Sequence, residues 1–266
     1  MPSDPSPTPG PDEAAPLEEP VAQPEWTQAA LFVVATPLGN LEDITLRAAR
    51  ILGQVDRVLA EDTRRTRQLL NHLGHSTPTT SLHEHNEIGR IQQVVGWLAE
   101  GKRLALVSDA GTPAISDPGF PLVRAVAAAG YRVVPIPGPS ALVTAACAAG
   151  LPTDRLHFLG FLPARPGRQR KTLEEALALR STTVLYVSPH KLARVLELAA
   201  SIAPDRPACL ARELTKMHEE FDRAPLGELA SRWADKPVKG ELTLLIGPAA
   251  EEKRVKKNKY EDQRGS

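Results

Sequence analysis

Short apolar runs alternate with helical patterns and Pro/Gly-rich turns from residue 31 onward. Runs at 31–35, 56–60, 81–86, 104–107 and 131–136 read as strands, since brief apolar stretches bounded by turn residues suit strands buried on both faces. Between them lie helical patterns at 44–52, after Glu61-Asp62-Thr63 to near Gly74, at 87–100, at 121–129 and at 140–149. Asp43 reads as the N-cap of the first, while Gly101 and Gly130 end the third and fourth. The segment 140–149 is rich in small residues, so a neighbouring element must pack close to it. This alternation predicts a parallel sheet with helices on both faces. From about Pro152 the pattern becomes mixed: strands at 156–160, 182–187, 207–211 and 241–246, and helices at 172–180, 190–202 and 226–234. A basic loop is expected at 163–171 and a polar stretch at 212–224. The expected organisation is an N-terminal α/β domain over 30–151 and a C-terminal α/β domain over 152–248.

Composition changes this picture mainly at the ends. Residues 1–29 are acidic and Pro-rich, and cannot bury enough apolar surface to offset ordering, so disorder is expected up to about Trp26. The charged tail at 249–266 is expected to be disordered as well. The formal net charge is 0, but residues 1–29 carry six acids and no Lys or Arg, which leaves +6 on residues 30–266. A basic body suits a polyanionic partner. No apolar run approaches the ~20 residues of a membrane span, and no basic-then-apolar leader is visible, which points to the cytoplasm. Cys147 and Cys209 sit far apart in apolar runs and read as buried free thiols. No Cys/His set has zinc spacing, and His83 with His85 lacks a third ligand, so no metal is expected.

The densest chemistry lies in 108–119, Ser-Asp-Ala-Gly-Thr-Pro-Ala-Ile-Ser-Asp-Pro-Gly, between an apolar strand and a helix. Pro holds φ and Gly lets the main chain approach a ligand closely. Such a loop at the C-terminal end of a strand reads as a ligand-binding loop. Two more Pro/Gly loops, at 36–43 and 137–141, also follow strands. In a parallel sheet the three ends share one edge, so the loops converge. The Rossmann glycine pattern, the P-loop and the G-x-S-x-G elbow are all missing, which disfavours a dinucleotide fold, a nucleotide hydrolase and an esterase. Asp109 and Asp117 either contact a ligand or accept loop amides as turn residues do. Glu61-Asp62 before Arg64 either serve the site or simply start a helix. Arg165, Arg168, Arg170 and Lys171 read as a phosphate clamp on a flexible loop. Lys191, Arg212 and Lys216 add positive charge that can face the cleft, while Glu241 reads as an ordinary strand-edge residue.

Several of these stretches carry a resemblance. They are Val34 through Ile44, Glu61-Asp62-Thr63-Arg64, Ser108 through Gly119, Pro135 through Ala141 and Arg212-Glu213-Leu214-Thr215-Lys216. Together they resemble the tetrapyrrole methylase-like superfamily of S-adenosylmethionine-dependent (class III) methyltransferases. Within it they are most similar to the 16S rRNA cytidine 2′-O-methyltransferase family. The resemblance spans about residues 31–247 and leaves both tails outside it. It implies a two-domain α/β fold, with a mostly parallel N-terminal sheet and a mixed C-terminal sheet, and S-adenosylmethionine in the cleft between them. It also implies a homodimer, and 2′-O-ribose methylation of cytidine 1402 in 16S rRNA or the small ribosomal subunit.

Where the superfamily has Gly-Asp-Pro against the cofactor, this chain has Gly111-Thr112-Pro113, so the role of that carboxylate does not carry over. Asp109 or Asp117 is the candidate replacement, and Ile115 and Ser116 continue the same loop. Pro37, Gly39, Ser140 and Ala141 are implied to line the same pocket. A ribose hydroxyl is a poor nucleophile, so a general base is expected, with Asp117, Asp109, Lys171, Lys191, Lys216 and Glu213 as candidates. Two other readings stay open: a tetrapyrrole-precursor or diphthine-type methyltransferase of the same superfamily, and a non-catalytic RNA-binding protein of ribosome assembly.

Overall fold

Parallel strands cannot be joined by hairpins, so each needs a crossover, and the N-terminal half is built from such crossovers. In the computed structural model, which describes residues 28–249, strands β1 (Ala30–Val34), β2 (Arg57–Ala60), β3 (Thr79–Ser81), β4 (Arg103–Val107) and β5 (Arg132–Ile136) form one sheet. Its order is β3-β2-β4-β1-β5 and every pairing is parallel. Helices α1 (Leu46–Gln54), α2 (Thr63–His72), α3 (Glu87–Ala99) and α4 (Phe120–Ala128) make the connections. Alternation along the strands divides the apolar residues between two cores. Phe32, Val34, Val58 and Val107 meet Ile51, Leu52 and Leu70 on one face. Leu31, Leu59, Leu104 and Leu106 meet Leu98, Leu122 and Val126 on the other.

The small-residue helix α5 (Ala141–Ala148) crosses to the second half. There β6 (Leu156–Phe161), β7 (Thr182–Val187), β8 (Pro207–Arg212), β9 (Glu220–Pro225) and β10 (Leu242–Ile246) form a sheet in the order β6-β7-β10-β8-β9. Only β6 and β7 pair in parallel, and the other neighbours are antiparallel. One face packs on α6 (Pro166–Leu177), α7 (Leu192–Ile202) and α8 (Leu226–Trp233). The other face presents Val184, Cys209, Ala211 and Leu245 to Ala145, Ala146 and Ala149 of the α5 segment and to Leu38. Small residues on α5 therefore let the two halves approach closely. Arg223 on β9 completes the join, donating to the Ala148 and Ala149 carbonyls at 2.6 and 3.1 Å, where the end of α5 leaves acceptors free.

Four local expectations need correction. Thr45, not Asp43, caps α1, its hydroxyl accepting from the Ala48 amide at 3.1 Å, while Asp43 lies in a 3-10 turn at Leu41–Asp43. The basic segment 163–171 is not a loop throughout. From Pro166 it is helical, with proline in the first turn, where its missing N–H costs nothing. The polar stretch 212–224 contains the edge strand β9, whose largely polar sequence gave no apolar run to detect. Cys209 is buried, but Cys147 is exposed. The two tails, Trp26 included, lie outside the described residues. No helix among the described residues is long and apolar enough to cross a membrane.

Arg223→Met should lower stability by about 1–3 kcal/mol, because it leaves two carbonyls without their charged donor. Urea unfolding measures this, and Arg223→Lys is expected to recover part of the loss.

Candidate active site

The loops that follow β1, β4 and β5 meet at the C-terminal edge of the parallel sheet and are tied backbone to backbone. Thr36 and Gly111 exchange N–H···O bonds of 2.9 and 3.0 Å, and the Thr36 hydroxyl donates to the Ser108 carbonyl at 3.1 Å. The Thr112 hydroxyl donates to the Pro139 carbonyl at 3.0 Å. A Cβ at Gly138 would lie 2.9 Å from that of Ala35, so glycine is what lets the third loop close on β1. The central loop is strained as well as tied. Ala114 and Ser116 both hold φ of 66°, a conformation that costs non-glycine residues about 1–3 kcal/mol each. Ser116 sits against a β-bulge in β6, where a Cβ on Gly160 would lie 2.6 Å from its hydroxyl oxygen.

A cavity of about 350 Å³ opens between these loops and the C-terminal sheet. From the N-terminal half it is lined by Leu38, Ala110, Gly111, Thr112, Ile115, Asp117, Ser140 and Ala141. The C-terminal half contributes Phe161, residues 186–189 at the end of β7, and residues 240–242 at the start of β10. Asp117 is half-buried here, and its carboxyl is pushed up to about 6. Burial is the main cause, the negative charges of Glu61, Asp109 and Glu241 add to it, and a hydrogen bond with Ser108 opposes it. Burial and Asp109 also raise Glu61, whereas Arg65 and His83 partly neutralise it.

The opposite wall holds a second strained turn, with Glu213 at φ 51° and Thr215 at φ 65°. Lys216 donates to Glu213 Oε1 at 2.9 Å and to Glu241 Oε2 at 3.2 Å, and its stem lies across Gly39. The two carboxylates hold the Lys216 ammonium above its ordinary pKa against the opposing effect of burial, so it is a cation and not a base. The Asn40 amide donates to the Thr215 hydroxyl at 3.3 Å and fastens the first loop to the same turn.

The structure brings together Gly111, Thr112, Ile115, Asp117, Ser140 and Ala141 at the cavity. Pro37, Gly39, Asp109, Pro113 and Ser116 do not line it. Asp109 is occupied, accepting from the Asp62 amide at 2.9 Å and pairing with Arg65 at 3.6 Å. Asp62 caps α2, which favours its structural reading. Lys171 is exposed on α6 and paired with Glu175, away from the cavity, so its candidacy as base is set aside. Arg64 pairs with Asp62, Arg212 with Glu220, and Lys216 with two glutamates, so none of the three is an unengaged cation. Arg165, Arg168, Arg170 and Lys191 are exposed. Pro189, two residues before Lys191, lines the cavity. Sequence reasoning missed Phe161, Tyr186 and Glu241; the one available signal was Gly240-Glu241 ahead of the last strand. Among the described residues no group of His, Cys, Asp and Glu converges as metal ligands.

Comparison with known proteins places the chain in a family and a fold. Residues 30–230 match the family described as Tetrapyrrole (Corrin/Porphyrin) Methylases. The chain is 46% identical over 220 residues to ribosomal RNA small subunit methyltransferase I of Halalkalibacterium halodurans, covering 82% of this chain and 76% of that protein. It is also 46% identical over 224 residues to the protein of that name from Escherichia coli O157:H7, with coverages of 83% and 78%. Among solved structures it resembles the methyltransferase CobJ, with a TM-score of 0.63 at 23% identity over 84% of this chain and 95% of that one. It resembles cobalt precorrin-4 methyltransferase, CbiF, with a TM-score of 0.63 at 17% identity over 85% and 98%. At those identities the likeness is one of fold.

Gly111→Val should weaken S-adenosylmethionine binding about 10-fold or more, since Gly111 holds φ of 87° and any side chain there meets Leu38. Equilibrium binding measures the loss, with the unfolding midpoint as the check that the protein remains folded.

Proposed function

Because this chain belongs to the tetrapyrrole methylase family and, within it, to the ribosomal RNA small subunit methyltransferase I group, we propose the following function. The protein transfers a methyl group from S-adenosylmethionine to the 2′ oxygen of cytidine 1402 in 16S rRNA. The observation that carries this reading at the site is Asp117, a carboxyl near neutrality on the wall of a cavity built by three tied loops. The cavity suits the cofactor. Leu38, Ala141, Val187 and Leu242 offer apolar wall to an adenine, and Gly111 exposes bare main chain.

When bound, S-adenosylmethionine supplies a methyl group on positively charged sulfur, which an oxygen nucleophile displaces. The protein's share is placement and proton removal. Asp117 takes the hydroxyl proton as the new oxygen–carbon bond forms, and later releases it to water. A base with a pKa of about 6 is ionised at neutral pH yet still basic enough to accept a proton. Gly111, Thr112 and Ser140 bind and orient the cofactor, with Pro37, Gly39, Pro113 and Ser116 holding the loops behind them.

Arg165, Arg168, Arg170 and Lys191, all exposed, hold rRNA phosphates, and the target is reached in a single-stranded segment, where bases can be splayed out. Lys171 adds charge to the same helix start, while Arg64, Arg212 and Lys216 shape the field through their acidic partners. The same reading includes a homodimer acting in the cytoplasm, which sedimentation and cell fractionation would test.

Asp117→Asn should slow transfer roughly 100-fold or more while changing cofactor affinity little. The wild-type rate should rise with pH through about 6 and then level off, because only the ionised carboxylate accepts the proton. The folded pKa lies above the unfolded value of 3.8, so ionisation opposes folding as pH rises from 3.8 to about 6. Asp117→Asn is therefore expected to raise the melting temperature at pH 7 and to leave it nearly unchanged at pH 3. Methyl transfer to small subunits lacking the modification, followed as a function of pH, tests the catalytic part. Arg168→Glu with Arg170→Glu should weaken subunit binding and lower its log–log salt slope by roughly 2, without affecting the cofactor.

A further inference from the structure

Two groups at the cavity wall have no assigned part in proton removal, the ring of Phe161 and the carboxylate of Glu241. Phe161 ends β6 and is 57% exposed, although it lines the cavity. Its ring is nonetheless held: Tyr186 meets it edge-on with centroids 5.7 Å apart, and Tyr186 is braced by Phe158 at 5.0 Å. An exposed but immobilised ring beside a site that takes a splayed nucleotide is a stacking platform for a base.

Glu241 opens β10 from a glycine at φ 94°. Lys216 holds its Oε2, while Oε1 takes no hydrogen bond among the described residues. Glu213 fixes this arrangement from both sides, its Oε1 accepting from the Lys216 ammonium at 2.9 Å and from the Glu241 amide at 3.0 Å. The strained turn at Glu213 and Thr215 sustains it. The result is a carboxylate on the cavity wall, held by its neighbours through one oxygen. A carboxylate oxygen accepts a hydrogen bond and gives none. Cytosine offers an exocyclic amine at position 4, where uracil offers a carbonyl oxygen that a carboxylate repels.

We infer that Phe161 stacks on the target base and that Glu241 accepts a hydrogen bond from its N4 amine, making these the residues that select cytidine, with Lys216 as the positioning residue for Glu241. This inference rests on the rRNA reading above and adds the means of base selection to it. It also accounts for a carboxylate facing the RNA in an otherwise basic body: that group reads a base rather than a phosphate.

The test compares methylation of small ribosomal subunits carrying C or U at the target position, with S-adenosylmethionine affinity measured on each variant. Wild type should prefer C by about 10-fold or more. In Glu241→Gln the amide both accepts and donates, so the preference should shrink to within about 3-fold, with cofactor affinity retained. Phe161→Ala should raise KM for the subunit about 10-fold, and Phe161→Trp should restore it. Retention of cofactor affinity shows that each variant is folded. A Glu241→Gln enzyme that keeps the full preference for C overturns the inference. So does one that loses cofactor affinity in step with activity, since Glu241 would then belong to the cofactor's adenine. Wild-type protein that binds S-adenosylmethionine but methylates neither subunit would sink the rRNA reading itself, and base selection with it.

Discussion

The antiparallel bridge between Thr36 and Gly111 is the contact on which the site depends. Two loops that follow parallel strands would otherwise splay, since nothing in the sheet continues past Val34 and Val107. The paired backbone bonds hold them together, and the Thr36 hydroxyl extends the tie to Ser108. Once these loops are joined, the Thr112–Pro139 bond draws in the third. Gly111 must lie at φ of 87° for this, and Leu38, pressed against it, becomes part of the cavity wall. Rigidity at this edge places Asp117 where burial shifts its acidity, so the backbone tie and the chemistry are links of one chain.

The second half of the cavity arrives through packing. Helix α5 is made of small residues, and its Ala145 and Ala146 meet Cys209, Ala211 and Leu245 of the other sheet. Arg223 seals the end of that helix to the edge strand. Two close contacts reinforce the join on either side of the cleft. Ser116 rests on the bulge at Gly160, and Lys216 lies across Gly39. Each pairs a strained N- or C-terminal turn with a glycine of the opposite half, which is why strain and glycine cluster at this boundary.

Electrostatics divides the molecule by function. Exposed arginines at the start of α6 suit phosphates, although Arg170 also pairs with Glu174, while Arg64, Arg212 and Lys216 are engaged with carboxylates. Inside the cleft the carboxylates dominate, and Glu61, Asp109 and Glu241 together disfavour the charge on Asp117. Because the site is partly withdrawn from water, each of these charges acts more strongly than it would on the surface.

The sequence alone determined the periodicity, and with it most of the fold. Apolar runs of strand length alternating with helical patterns required a parallel first sheet, and Pro/Gly loops after three of its strands required a shared binding edge. These follow from local propensity and strand direction, which neighbouring residues carry. The motif resemblance supplied the cofactor and the reaction class. Only the tertiary structure distinguished the surroundings of Asp117 from those of Asp109, whose carboxylate is already bonded to Asp62 and Arg65. Only it revealed that Lys216, three residues from its partner Glu213, also pairs with Glu241, 25 positions away along the chain. The edge strand β9 and the cavity wall from Phe161 to Leu242 were equally hidden. Burial, ion pairing and strand pairing at long range depend on which distant segments fold together, and no local pattern of residues encodes that.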